Sequence, residues 1–146
     1  MVPERHPITL AKEIATMDHY SGGRFLFGIG TGWLREETEM FGVSFKNRVR
    51  HTRECVLAMK QIWTKDVTKY HGEFIDFPPI RCFPKPVQKP YPPVLLGSTA
   101  PNVLNRVVSW ADGWAPTGRG ITPDKIREAR RELNRLAKET AKKAGI

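Results

Sequence analysis

Two hydrophobic periods alternate along this chain, and that alternation restricts it to one class of fold. Over residues 7–20, Ile8, Ala11, Ile14, Ala15 and Met17 recur at helical spacing behind Pro7, and Gly22 and Gly23 stop the run. Residues 24–33 then follow a period of two. Helical spacing returns over 47–64, on Val49, Thr52, Val56, Met59, Ile62 and Trp63, with Asn47 as the candidate N-cap. The all-apolar run Val94, Leu95, Leu96 suits a strand buried on both faces of a parallel sheet. A helix with Val103, Leu104, Val107, Val108 and Ala111 on one side comes next, then a brief strand over 113–115. The last helix is capped by Thr122 and opened by Pro123, with Ile126, Ala129, Leu133, Leu136 and Ala137 facing inward. Between these elements, 34–41 reads as a short helix, 69–77 as a hairpin around His71 and Gly72, and the proline-rich stretch 78–93 as irregular. The order α-β-α-β-α-β-α predicts a parallel sheet with right-handed crossovers. An open sheet and part of a (β/α)8 barrel both satisfy it.

At 146 residues, with 40% hydrophobic and 27% charged side chains, the chain has the size and balance of one globular domain. No apolar run approaches the roughly 18 residues that span a bilayer. The first seven residues carry no apolar signal-peptide core, so a cytoplasmic location and no membrane partner are expected. Cys55 and Cys82 fit no metal-ligand spacing and read as buried free thiols. The four histidines are scattered without metal-type pairing, so no metal site is expected. The net charge of +9 is spread over the whole chain, with the largest local excess on the last helix. Such a face serves solubility or attracts an anionic ligand. No aromatic stacking platform lies among the basic residues, which argues against a nucleic-acid module.

In the stretch 24–33, Phe25, Phe27 and Ile29 fall on one strand face, while Leu26, Gly28, Gly30 and Gly32 fall on the other. Glycines inside a strand mark a close approach by a ligand or another backbone. A flat ligand and tight internal packing both account for the bare face. Gly30, Thr31 and Gly32 do not open a dinucleotide fingerprint, because Arg35 stands where the third glycine belongs. Residues 97–102 lie between a buried strand and a helix, where backbone N–H groups favour an anion. There Gly97 permits close approach, and the Ser98 and Thr99 hydroxyls can donate to phosphate oxygens; ordinary N-capping needs only one of those hydroxyls. The third strand also ends in small residues, including Pro116, Thr117 and Gly118. In α/β folds ligands gather at that end of the sheet.

Taken in order, these pieces resemble the bacterial luciferase-like monooxygenase superfamily, and within it the deazaflavin-dependent oxidoreductases. The resemblance runs through nearly the whole chain: residues 10–18, Ser21 to Phe25, Gly28 to Trp33, Glu36 and Glu37, Phe41 to Val43, Arg48, Glu54, Ile62 and Trp63, Gly72 to Phe74, Pro84 to Gln88, Pro92 and Pro93, and Ala111 to Trp114. It implies a (β/α)8 TIM barrel holding FMN, or the deazaflavin coenzyme F-420, at the carboxyl ends of its strands. This chain would supply about strands four to six, so that residues 1–146 form an incomplete luciferase-like domain; a whole barrel takes roughly 250 residues.

By the same resemblance Thr31 and Gly32 lie beside the cofactor ring, Gly97, Ser98 and Thr99 grip its phosphate, and Pro116 and Thr117 sit nearby. Sugar-phosphate dehydrogenases of the family carry a glutamate after the Gly-Thr-Gly stretch, where this chain has Trp33. That departure counts against their proton transfer and their substrate. Neither Glu36 nor Glu37 is established as a replacement, and no catalytic residue is assigned. The implied activity is hydride transfer or oxygen insertion on a small organic substrate. The alternative is an inactive truncated barrel that associates with a copy of itself or with a second polypeptide that completes the sheet.

Overall fold

The protein is described by a computed structural model, which covers residues 1–116, 118 and 120–143. It divides into two compact units, Met1–Pro92 and Pro93–Ile146.

The first unit is built on two helices, α1 (Pro7–Tyr20) and α3 (Arg48–Thr64), packed face to face. Ala11 and Ala15 are fully buried, and their small side chains let the helices approach closely. Cys55, Val56, Met59, Ile62 and Trp63 fill the other side of that seam. The Trp63 indole donates to the Ala11 carbonyl at 2.9 Å, which satisfies its one polar atom inside the core. Phe27, on strand β1 (Phe27–Ile29), packs its edge against Trp63 with ring centroids 6.2 Å apart.

Strand β1 is much shorter than the expected 24–33. The Phe25 carbonyl accepts from the Gln88 side chain at 2.8 Å, so it is committed to a loop rather than a ladder. At the other end, Gly32 has φ +85°, outside the extended region. Within the strand the period holds: Phe27 and Ile29 are buried, Gly28 exposed. The short helix expected after it is α2 (Arg35–Met40), followed by a 3₁₀ turn, Phe45–Asn47.

Buried Asp18, at the end of α1, accepts from the Gln88 backbone N–H at 2.9 Å and from its side-chain amide at 2.6 Å. Lys85 donates to the Ile62 carbonyl at 2.6 Å, so the proline-rich segment is pinned at both Lys85 and Gln88. Strands β2 (Thr68–His71) and β3 (Asp76–Ile80) form the expected hairpin, pairing Tyr70 with Phe77 and His71 with Asp76. Contrary to expectation, β3 continues through Pro78 and Pro79. A two-stranded ribbon has an outer edge where a missing N–H costs no ladder bond. The Glu54 carboxylate on α3 accepts the N–H groups of Glu73 at 2.8 Å, Ile75 at 2.9 Å, and Phe74 between them. It lies so close to Gly72 that a Cβ there would collide with it.

The second unit holds strands β4 (Val94–Leu96) and β5 (Gly113–Trp114), which pair in parallel, Leu95 with Gly113 and Leu96 with Trp114. Asp112 fixes the register twice. Its N–H donates to the Val94 carbonyl and its carboxylate accepts the Val94 N–H, each at 2.9 Å. Helix α4 (Val103–Trp110) connects the strands, and α5 (Pro123–Lys143) packs on it. Thr122 caps α5 as expected, its hydroxyl accepting from the Lys125 N–H at 3.3 Å. The expected inward stripe of α5 is narrower than its pattern. Leu136 is buried and Ala129 and Leu133 are half-buried, while Ile126 and Ala137 are exposed. A helix of 21 residues outruns its eight-residue neighbour. Among the described residues no helix is long and apolar enough to cross a membrane, and both cysteines are buried free thiols.

Candidate cofactor site

At the carboxyl end of β1 the chain turns sharply through Gly30, Thr31 and Gly32. Arg48, the first residue of α3, holds this turn: its Nε donates to the Gly32 carbonyl at 3.0 Å and its Nη1 to the Phe45 carbonyl at 2.8 Å. The guanidinium also lies 3.7 Å above the Phe45 ring, a stacked arrangement that a lysine does not reproduce. Fully buried Thr38 backs the turn from α2, its hydroxyl donating to the Leu34 carbonyl at 3.0 Å.

The three glycines differ in what they face. A Cβ on Gly30 would stand 2.9 Å from the Met1 sulfur, and one on Gly32 would stand 2.8 Å from the Thr38 hydroxyl. Tight packing within the chain therefore accounts for these two. Gly28 has nothing within 4 Å of its Cβ position, and it alone keeps an open face of the kind a flat ring needs. Trp33 is 78% exposed beside the turn, and Glu36 and Glu37 lie in the first turn of α2.

In the second unit, Gly97, Ser98 and Thr99 leave the carboxyl end of β4 alongside the end of β5. Two bonds tie these ends together: the Ala115 N–H donates to the Leu96 carbonyl at 3.1 Å, and the Trp114 indole donates to the Ser98 carbonyl at 2.8 Å. Pro116 follows directly, so the structure brings it to the same end of the sheet as Ser98; Thr117 lies outside the described residues. Neither Ser98 nor Thr99 caps α4. Asn102 occupies the N-cap with φ 67° and makes no side-chain cap bond, while the Ser98 hydroxyl oxygen accepts from the Ala100 N–H at 3.1 Å.

Thr99 is exposed and lines a cleft of about 510 Å³ between α4 and α5, a volume within the usual range for small-molecule sites. Trp114 and Lys125 share that lining. The Lys125 ammonium donates to the Gly120 carbonyl at 2.8 Å, leaving further protons for an anion. A hydroxyl and an ammonium on one cleft fit a phosphate group, just as the bare face at Gly28 fits a planar ring. Sequence reasoning missed three supporting residues. Arg48 and Trp114 stood in the family pattern without a role, and Lys125 carried no signal beyond its place on a basic helix.

Comparison with known proteins bears on both halves of this description. The luciferase-like monooxygenase family model matches residues 1–145. An uncharacterised protein of Mycobacterium tuberculosis is 43% identical over 122 residues, which are 83% of this chain and 43% of that protein. The FMNH2-dependent dimethylsulfone monooxygenase of Pseudomonas putida is 34% identical over 110 residues, 71% of this chain and 30% of the enzyme. Among solved structures, the monooxygenase RslO1 of Streptomyces bottropensis superposes with a TM-score of 0.76 at 26% identity, covering 99% of this chain and 43% of that one. An F420-dependent secondary alcohol dehydrogenase, solved with an F420–acetone adduct, shares the fold with a TM-score of 0.68 at 21% identity over 88% of this chain and 41% of its own. The chain thus spans less than half the length of these relatives, and its α/β architecture is that of part of their barrel. On the match over 1–145, the chain belongs to the luciferase-like monooxygenase family.

Proposed function

We propose that residues 1–146 form one incomplete luciferase-like domain, part of a cytoplasmic flavin- or deazaflavin-dependent oxidoreductase acting on a small organic substrate. The observation that carries this reading is the pair of parallel strand ends, β4 and β5, locked side by side by the Trp114–Ser98 bond. Thr99 and Lys125 hold the cofactor phosphate, with Gly97 and Ser98 shaping the loop and Pro116 beside it. The ring lies over the open face at Gly28, with Thr31 and Gly32 in the turn beside it, which Arg48 and Thr38 support from behind. When bound, the cofactor supplies hydride exchange as deazaflavin, or oxygen activation as reduced FMN, and the protein's task is to bind and orient it.

The test is a fluorescence titration of the purified chain with FMN and with the deazaflavin coenzyme. Saturable binding of either one, weakened about tenfold by Thr99→Ala through loss of a hydrogen bond to a charged group, is the expected result. A folded chain that binds neither cofactor refutes the phosphate assignment. A second reading, association with another polypeptide, is supported by the exposure of Leu26, Trp33, Met40 and Phe41. Sedimentation of the purified chain as a monomer at all concentrations would count against self-association.

A further inference from the structure

We infer that the first unit carries a binding site for a small organic ammonium ion, with Glu4 as its anchor. The inference does not draw on the cofactor assignment: every residue of the site belongs to Met1–Pro92, and none is in the phosphate loop. The site is a cavity of about 360 Å³ between the segment ahead of α1 and the β2–β3 turn, a volume within the usual range for small molecules.

The Glu4 Oε1 atom is the only buried side-chain nitrogen or oxygen among the described residues that has no hydrogen-bond partner. A carboxylate oxygen closed to water and left unbonded costs stability, and such atoms are rare enough in folded chains to point to a missing ligand. Glu4 is half-buried and lines the cavity, so a cation there neutralises the charge that both carboxylate oxygens share. The neighbouring cations are committed elsewhere. Arg5 bonds Glu13 at 3.2 Å, and Arg50 bonds Glu73 while its guanidinium lies 5.3 Å from the centre of the Phe74 ring. Burial holds the His51 pKa below 6.5, against the pull of the Glu54 charge, so its ring adds no positive charge to the wall at neutral pH. Asp76 adds a second carboxylate to the lining, with His71 Nδ1 2.6 Å from its Oδ1. None of these groups, nor exposed His6 on the same lining, bonds Glu4 Oε1. No group of three His, Cys, Asp or Glu able to hold a metal ion occurs among the described residues, which leaves an organic cation as the partner. Phe41, Phe74 and Phe77 give the cavity apolar walls, which suit an alkyl stem and its charged head.

The experiment titrates the 146-residue chain with n-butylammonium, n-butanol and butyrate at pH 7.5, following backbone amide shifts by NMR. The set is repeated on Glu4→Gln, with circular dichroism to establish its fold. The three probes share a stem and differ in charge. On a chain of net charge +9, non-specific attraction favours butyrate, so a preference for the cation is local. The expected result is saturable butylammonium binding, about tenfold tighter than either other probe, with shifts at residues 4–6, 51 and 74–77. Glu4→Gln should weaken it about tenfold and leave the alcohol unchanged. Butanol binding as tightly as the ammonium overturns the inference and leaves an apolar pocket. Shifts clustered elsewhere, an affinity unmoved by Glu4→Gln, or no saturable binding by the parent also overturn it. Should the variant fail to fold, the ranking of probes and the shift map of the parent decide alone.

Discussion

Glu54 gives both oxygens of its carboxylate to three consecutive amides of the β2–β3 turn. Charge-assisted bonds of this kind are stronger than neutral ones. Glu54→Ala is expected to cost about 1–3 kcal/mol by urea unfolding, with faster amide exchange at Glu73, Phe74 and Ile75. One turn back along the helix, His51 is half-buried and its Nδ1 lies 3.6 Å from the Cys55 sulfur. Burial lowers the His51 pKa below 6.5, with the Glu54 charge pulling the other way. The unfolded chain therefore binds this proton more readily than the folded one. Its contribution to stability is complete above about pH 6.5 and is lost as pH falls through the folded value. Denaturant midpoints at pH 7.5 and 5 should show this slope, and His51→Gln should flatten it. Burial, with the Glu54 charge adding, pushes the Cys55 thiol up to about 12. At pH 8.5 Cys55 should therefore resist a thiol reagent in native protein and react once unfolded, as mass spectrometry of the labelled peptide would show.

At the scale of elements, the contrast between Gly28 and Gly32 yields a paired prediction. Gly32→Ala combines an unfavourable φ with a 2.8 Å approach to Thr38 and should cost about 1–3 kcal/mol. Gly28→Ala meets nothing and should stay within about 0.5 kcal/mol of the parent in stability. Its expected effect is on FMN affinity alone, since the added methyl occupies the open face. The helices were legible in the sequence because their signals are local. Helix α1 buries Ala11, Ile14 and Ala15 of its expected stripe and ends at its glycine stop, although Met17 is exposed and Leu10 is buried in its stead, and Thr122 caps α5. Strand lengths were not, since they depend on distant partners such as Gln88, which claims the Phe25 carbonyl before a ladder can. Capping by Ser98 or Thr99 was plausible locally but is superseded by the left-handed Asn102. Which glycine faces open space was equally hidden, because it depends on where Met1 and Thr38 come to rest.

For the molecule as a whole, the described residues contribute β1, β4 and β5 toward a fold whose closed form has eight strands. Loops from several strands build such active sites, so the purified chain is expected to bind cofactor without measurable turnover. Cofactor-dependent oxidation by the chain alone would overturn that expectation. Three residues that carry the family pattern have structural work here: Asp18 clamps Gln88, Trp63 anchors α1, and Asp112 sets the β4–β5 register. The crowding of Gly72 against Glu54 adds a historical constraint. A side chain at position 72 meets both that carboxylate and, at 2.9 Å, the Tyr70 ring, so a lineage that leaves glycine there has to re-aim the two together. Relatives with a residue other than glycine at the position of Gly72 should therefore be enriched in changes at the positions of Glu54 and Tyr70.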